Sequence, residues 1–208
     1  MKILIADDHA IVRKGLIQIL REEFPIVEIT EIANSNEILK EVRKQIWDII
    51  LLDISMPGQN GIEILKQIRF EGIKAPVLML SMHPEEQYAV RVLKAGASGF
   101  LNKQSATEEL LNAIHKVLSG RKYITTSVAE QLAESLNDKN SKSVHELLSD
   151  REMQVFQLIA SGKTVSEIAT QISLSVNTIS TYRVRILEKI NLKNNAELTR
   201  FAIDNNLV

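Results

Sequence analysis

The chain has 208 residues and no cysteine, with 25 Lys plus Arg set against 26 Asp plus Glu. That length can bury one large core or two small ones, and the balanced charge excludes a whole-chain polyelectrolyte partner, so any nucleic-acid surface must be a local patch. The missing thiols exclude a disulfide scaffold and thiolate metal sites. No apolar run approaches a membrane span, and the apolar residues at 3–6 run straight into two Asp, unlike a signal peptide. A soluble cytoplasmic protein with no membrane partner is expected.

From residue 2 to about 120, short apolar strands alternate with amphipathic stretches. Strands are predicted at 3–6, 27–33, 49–53, 77–81 and 99–102. The runs IILL at 49–52 and VLML at 77–80 are apolar without alternation, as central parallel strands covered on both faces require. Helices are predicted near 10–23, 36–46, 61–71, 84–95 and 105–119. Pro84 suits a first helical turn, Ser105 with Glu108 has capping-box spacing, and Gly120 closes the last helix. Five βα units predict a doubly wound parallel sheet, in which ligands lie beyond the carboxyl ends of the strands.

Residues 121–146 change character, with a short helix at 127–136 and then NDKNSKS as an exposed linker. From 147 onward the strand pattern is gone and four helices are predicted. Ser149 with Glu152, Thr164 with Glu167 and Asn194 with Glu197 mark three helix starts, Ser175 caps a fourth without the acid, and Gly162 closes the first. Between 164 and 190 the pattern is helix, tight turn, helix. The second of these carries an apolar stripe of Ile179, Tyr182, Ile186 and Ile190. Its opposite face carries Asn177, Ser180, Thr181, Val184 and Glu188, flanked by Arg183 and Arg185. Small polar and methyl groups there can approach base edges while guanidinium groups meet phosphates. Residues 146–208 hold seven Lys plus Arg against seven Asp plus Glu, so the positive charge is local and a shallow salt dependence is expected.

If the sheet forms, Asp7 and Asp8 follow strand one, Asp53 ends strand three, Ser81 ends strand four and Lys103 follows strand five, all on one edge. Clustered carboxylates repel unless a cation joins them, and Mg²⁺ suits an all-oxygen site built on two or three acids. A metal beside one Lys and one further carboxylate is the equipment of phosphoryl transfer. Asp53 is the nucleophile candidate, because its strand is central and the loop SMPGQNG, with Gly58 and Gly61, leaves room for a phosphoryl group. His9, His115 and His145 are too scattered in sequence for a metal cluster and carry no expected role.

The segments ADDHAIVRKGL, ILLDISMPGQNGIEIL, LSMHPEEQYAVRVLKAGASGFLNK and ELLNAI closely resemble the receiver domain of two-component response regulators, most of all the NarL/FixJ subfamily. The resemblance implies a flavodoxin-like (βα)5 receiver domain at 1–122, and it assigns roles. Asp53 is the phospho-acceptor for a sensor histidine kinase. Asp8, Asp53 and the backbone carbonyl of Ser55 are direct Mg²⁺ ligands, with Asp7 acting largely through water. Ser81 is the switch hydroxyl, Lys103 pairs with the phosphoryl group, and Phe100 is the aromatic switch. Ser55 and His83 stand where receivers tune the dephosphorylating water.

The stretch from LLSDREMQVF to NNAEL is similar to the LuxR-type helix-turn-helix, which implies a four-helix DNA-binding domain at 147–208 after a linker with a short helix at 123–146. By that similarity Asn177, Thr178, Ser180, Thr181, Val184 and Arg185 face double-stranded DNA, and Lys163, Arg183 and Lys189 support it at the backbone. Ser180 and Tyr182 stand where many relatives carry Lys and His, so no target sequence carries over. The last helix, with Leu198, Phe201, Ala202 and Ile203, could pair two copies into a homodimer or serve the core.

Three rivals are weaker. A haloacid-dehalogenase phosphohydrolase needs D-x-D, whereas Asp53-Ile54-Ser55 lacks the second acid. A quorum-sensing regulator needs an aromatic ligand cavity where this chain has Asp clusters and βα repeats. A regulator independent of phosphorylation would have lost Asp8, Asp53 or Lys103, and none is lost. The expectation is a transcription factor that assists its own phosphorylation and dephosphorylation and is not a turnover enzyme.

Overall fold

A computed structural model describes residues 1–105, 107–137, 147–205 and 207. The linker expected at 137–143 lies almost wholly outside the described residues, as do His145 and Ala106. The chain divides into two compact units, Met1–Ser135 and Leu136–Val208. Among the described residues no helix is long and apolar enough to cross a membrane.

In the first unit, β1 (Lys2–Ala6), β2 (Glu28–Ile32), β3 (Ile49–Asp53), β4 (Val77–Ser81) and β5 (Gly99–Asn102) form one parallel sheet in the order β2-β1-β3-β4-β5. Successive side chains on a strand point to opposite faces, and both faces are covered. Leu4, Ile50, Leu52, Met79 and Phe100 join one core with α2 (Ser35–Val42), α3 (Gly61–Phe70) and α4 (Glu85–Lys94). Ile3, Ile5, Leu51, Leu78 and Leu101 join the other with α1 (Ala10–Glu23) and α5 (Thr107–Leu118). That is why β3 and β4 are apolar at consecutive positions. β2, at the sheet edge, buries only Ile32 and keeps Glu28 and Glu31 exposed.

Local chemistry sets the helix ends. Asn34 accepts from the Asn36 amide and starts α2, which stops at Val42 rather than running to 46. The chain must turn there to bring Trp47, 2% exposed, into the core. Pro84 sits at the N-cap of α4 rather than inside its first turn, at φ −55°. α6 (Thr126–Asn137) buries Val128 in the core that covers α2, α3 and α4, so this helix belongs to the packing of the first unit.

The second unit contains α7 (Asp150–Ala160), α8 (Val165–Gln171), α9 (Val176–Lys189) and α10 (Asn195–Asp204) around Met153, Phe156, Ile168, Ile179, Ile186 and Leu198. Both halves of the capping box form at Ser149/Glu152 and at Thr164/Glu167. At the start of α10, Asn194 accepts from the Glu197 amide at 2.9 Å, while Glu197 accepts from the Lys193 backbone amide at 2.8 Å and from the Asn194 side-chain amide at 3.1 Å. The turn between α8 and α9 passes through Ser173 at φ 54°, the left-handed region, which allows the Leu174 amide to reach the Ala169 carbonyl at 2.9 Å.

Candidate functional site

The carboxyl ends of β1, β3 and β5 meet at one point. Lys103, just past β5, places its Nζ 2.7 Å from Asp7 Oδ2 and 2.8 Å from Asp53 Oδ2, with side-chain exposures of 3%, 0% and 1%. These are close charge contacts off the hydrogen-bond axis, and the three atoms have no aligned hydrogen-bond partner. The outer oxygens are held differently. Asp53 Oδ1 accepts from the Ser55 amide at 3.1 Å, and Asp7 Oδ1 accepts from the His9 amide at 2.8 Å. Asp8 is one quarter exposed, and its Oδ1 is enclosed without a hydrogen bond.

The charges do not balance. Asp7, Asp8 and Asp53 face one ammonium group. Burial pushes the Asp53 carboxyl above its ordinary range, opposed by Lys103 and reinforced by the charge of Asp7. Oxygens of Asp7, Asp8 and Asp53 and a ring nitrogen of His9 all lie within 4.8 Å of one another, a group able to hold a metal ion. Enclosed carboxylate oxygens lacking aligned donors suit a hard cation.

The loop after Asp53 is built to stay close. Asn60 caps α3 by accepting from the Ile62 amide at 2.8 Å, and the Gly61 amide bonds the Ile54 carbonyl at 2.9 Å. A Cβ on Gly61 would lie 2.1 Å from the Asp53 carbonyl oxygen, so only glycine fits. Ser35, fully buried on α2, donates to the Pro57 carbonyl at 2.6 Å and accepts from the Gln59 amide at 2.9 Å, clamping the turn through Gly58 at φ +89°.

Ser81 is fully buried at the end of β4 and accepts from the His83 amide at 2.9 Å. Its carbonyl takes the Lys103 amide at 2.7 Å, which ties the hydroxyl and ammonium groups into one edge. Burial pushes the His83 imidazole down, and its ring lies against Tyr88. Phe100 pairs with Met79 in the sheet and is 4% exposed, turned inward.

His9 belongs to this site, against the expectation that it carries no role, and so does Arg13, which the sequence did not single out. His9 Nδ1 lies 2.9 Å from Asp8 Oδ1 and 3.3 Å from Asp7 Oδ1, while Arg13 donates to the Asp7 carbonyl at 2.7 Å. The only signal for His9 was adjacency to the acidic pair. His115 lies away from the cluster, 2.7 Å from Glu23.

In the second unit, α9 buries Ile179 and Ile186, with Tyr182 and Ile190 partly covered. Asn177, Ser180, Thr181, Val184 and Arg185 are exposed on the other face, and Thr178 and Arg183 are half-buried. Arg183 donates to Asn195 at 2.6 Å, Lys163 donates to Gln171, and Lys189 reaches Glu152 at 2.6 Å. Lys189 is thereby tied to the capping box of α7, with its pull and the Ser149 hydrogen bonds holding the Glu152 carboxyl below its usual range against the opposing effect of burial.

Residues 3–115 match the response regulator receiver domain, and residues 146–202 match the bacterial regulatory proteins of the luxR family. The response regulator UvrY of Escherichia coli is 35% identical over 208 residues, covering 100% of this chain and 95% of its own. BvgA of Bordetella pertussis, a putative positive transcription regulator of virulence factors, is 34% identical over 99% of this chain and 98% of its own. RcsB of Salmonella enterica serovar Typhimurium, solved on promoter DNA with a phosphomimetic, superposes with a TM-score of 0.65 at 26% identity, covering 97% of each chain. The sheet order, the acidic edge and these matches define a class: the chain belongs to the response regulators of NarL/FixJ type, transcription factors that join a receiver to a LuxR-type DNA-binding domain. Its relatives in that class include UvrY, GacA, BvgA and RcsB.

Proposed function

We propose that DNA binding by this regulator depends on phosphorylation of Asp53 by a sensor histidine kinase, with Mg²⁺ as cofactor and a homodimer as the active form. The observation that carries this reading is Lys103 Nζ held between Asp7 and Asp53 at the buried sheet edge. One Asp53 oxygen forms a P–O bond as the P–N bond to the donor imidazole breaks, and the released ring nitrogen takes a proton from solvent. Mg²⁺ bound by Asp8, Asp53 and the Ser55 carbonyl, with Asp7 acting through water, would neutralise charge on the phosphoryl oxygens. Lys103 pairs with those oxygens and the Ser81 hydroxyl donates to them.

The added charge of roughly two units draws Ser81 and Lys103 inward and biases a two-state equilibrium at the face of α4, β5 and α5, with Phe100 as the reporting aromatic. The division is a receiver at 1–122, a connecting segment at 123–146 whose short helix packs on the receiver core, and a DNA-binding domain at 147–208. Asn177, Thr178, Ser180, Thr181, Val184 and Arg185 read the DNA, while Lys163, Arg183 and Lys189 hold its backbone. The RcsB complex with DNA and phosphomimetic and the RcsB dimers on DNA support this reading. A cytoplasmic location fits such a partner set.

The test is intact mass after incubation with Mg²⁺ and acetyl phosphate, for wild type and Asp53→Ala, with light scattering on the same samples. One phosphoryl group on wild type alone, with a shift toward dimer, is expected. A wild type that binds DNA yet takes no phosphoryl group from acetyl phosphate or a phosphorylated kinase would favour a regulator independent of phosphate.

A further inference from the structure

The outer face of α9 offers methyl groups and one amide where a cation would be expected. With about 3.6 residues per turn, Thr181, Val184 and Glu188 fall within about 40° of Asn177 around the helix, and Ser180 stands about 60° to one side. All five are exposed. That strip carries no positive charge. Arg185 lies about 80° off it, and Arg183 and Lys189 lie about 120° off it on opposite sides. Both of the latter are held by neighbours, Arg183 donating to Asn195 and Lys189 to Glu152, each at 2.6 Å. The threonine hydroxyls are committed too. Thr181 donates to the Asn177 carbonyl four residues back at 2.9 Å, which leaves its methyl as the group the exposed side chain presents. The Thr178 hydroxyl lies 2.7 Å from that of Ser175 in the helix cap. Val184, 49% exposed, sets two more methyl groups beside that of Thr181.

We infer that α9 reads A·T pairs, with the Thr181 and Val184 methyl groups against thymine methyls and the Asn177 amide on an adenine edge. The inference rests on the DNA-reading face proposed above and names the bases that this face accepts. In the major groove only thymine carries a methyl group, and an Asn amide matches adenine N6 and N7, whereas guanine is taken mainly by Arg or Lys. The N-terminal residues of a recognition helix are the ones that reach base edges, and here they run from Asn177 to Val184, with Glu188 a turn beyond. Thr181 and Val184 are exposed, so trimming either leaves no cavity in the domain core.

The experiment begins with selection of duplexes from a random library by the full chain, with and without BeF₃⁻ and Mg²⁺. The enriched duplex is then remade with uracil for one thymine at a time, which removes only the C5 methyl and keeps the base pair. Fluorescence anisotropy compares wild type, Thr181→Ser, which keeps the hydroxyl bond and loses the methyl, and Val184→Ala. Enriched A·T pairs are expected, and uracil at one or two positions should weaken wild type by about fourfold each, the worth of one buried methyl group. Each variant should lose that sensitivity at its own position. Required G·C pairs with indifference to uracil would overturn the base assignment and leave α9 as the DNA-contacting face. Enriched A·T pairs with equal uracil sensitivity in all three proteins would overturn it as well, assigning the preference to DNA shape. No enrichment under either condition would overturn the DNA-reading face itself.

Discussion

Lys103 is the residue on which the site's electrostatics turn. Asp7 and Asp53 are buried beside each other, and the Lys103 ammonium is the cation between them. Replacing it by Met leaves two enclosed carboxylates without their counter-charge, a change that costs about 3–5 kcal/mol in buried pairs. Lys103→Met should therefore lower the urea midpoint of the first unit at neutral pH, and millimolar Mg²⁺ should restore part of it. An unchanged midpoint would show that the ammonium group does not stabilise the acids. Tyr123 gives a second residue-scale test. Burial and its hydrogen bond to Glu109, 2.9 Å long, push its phenol up to about 12. A folded value above the ordinary value of about 10 means that the neutral phenol stabilises fully below pH 10, and that this contribution fades as pH rises toward 12. Tyr123 should ionise late in an ultraviolet titration, and Tyr123→Phe should remove its contribution. Asp7, Asp8, Asp53, Ser81 and Lys103 were legible in sequence because each sits at the end of a strand, and strand ends follow from apolar runs. His9 was not legible as a member of this group, because its ring reaches the acids only through the fold of the β1–α1 turn.

Elements were legible where their signals are local. The Ser149 and Thr164 boxes pair atoms three residues apart, and both form as read. The early end of α2 was not legible, since it answers to the burial of Trp47 in a core assembled from distant segments. The start of α3 combines both kinds of cause: Asn60 caps it locally, while Gly61 is required by the neighbouring strand. Gly61→Ala would press a methyl group against the Asp53 and Ile54 backbone, where no side chain can move aside. A loss of about 1–3 kcal/mol or more follows, measured by urea unfolding, together with slower phosphoryl uptake because the shift falls on Asp53 itself. On α9 the exposed face and its flank should separate two kinds of contact. Val184→Ala and Thr181→Ala should change preference among DNA sequences, while Arg183→Ala should weaken binding to all of them and reduce the salt slope by about one. Fluorescence anisotropy on a panel of duplexes decides the matter, and uniform effects from all three would contradict the assignment.

For the whole molecule, alternating βα units implied a parallel sheet, and continuous apolar runs picked out its central strands. The order β2-β1-β3-β4-β5 is a matter of which edges pair in three dimensions, and periodicity along the chain does not set it. That order has a functional consequence. It puts β1 beside β3 at the switch point, so Asp7, Asp8 and Asp53 converge. A site in one unit regulates a surface in another only through a coupling free energy, typically about 1–3 kcal/mol or about 5- to 150-fold in affinity. The phosphoryl mimic BeF₃⁻ with Mg²⁺ should tighten operator binding within that range for wild type and leave Asp53→Asn unaffected. Coupling between two binding events is reciprocal. Operator DNA must therefore raise the affinity for BeF₃⁻ by the same factor, an effect readable by calorimetry in the presence and absence of duplex. Equal factors from the two directions would establish that Asp53 and the α9 surface bias a single equilibrium. DNA affinity indifferent to BeF₃⁻ that is demonstrably bound would mean that the receiver exerts no control over binding, and that phosphorylation acts at a later step of transcription.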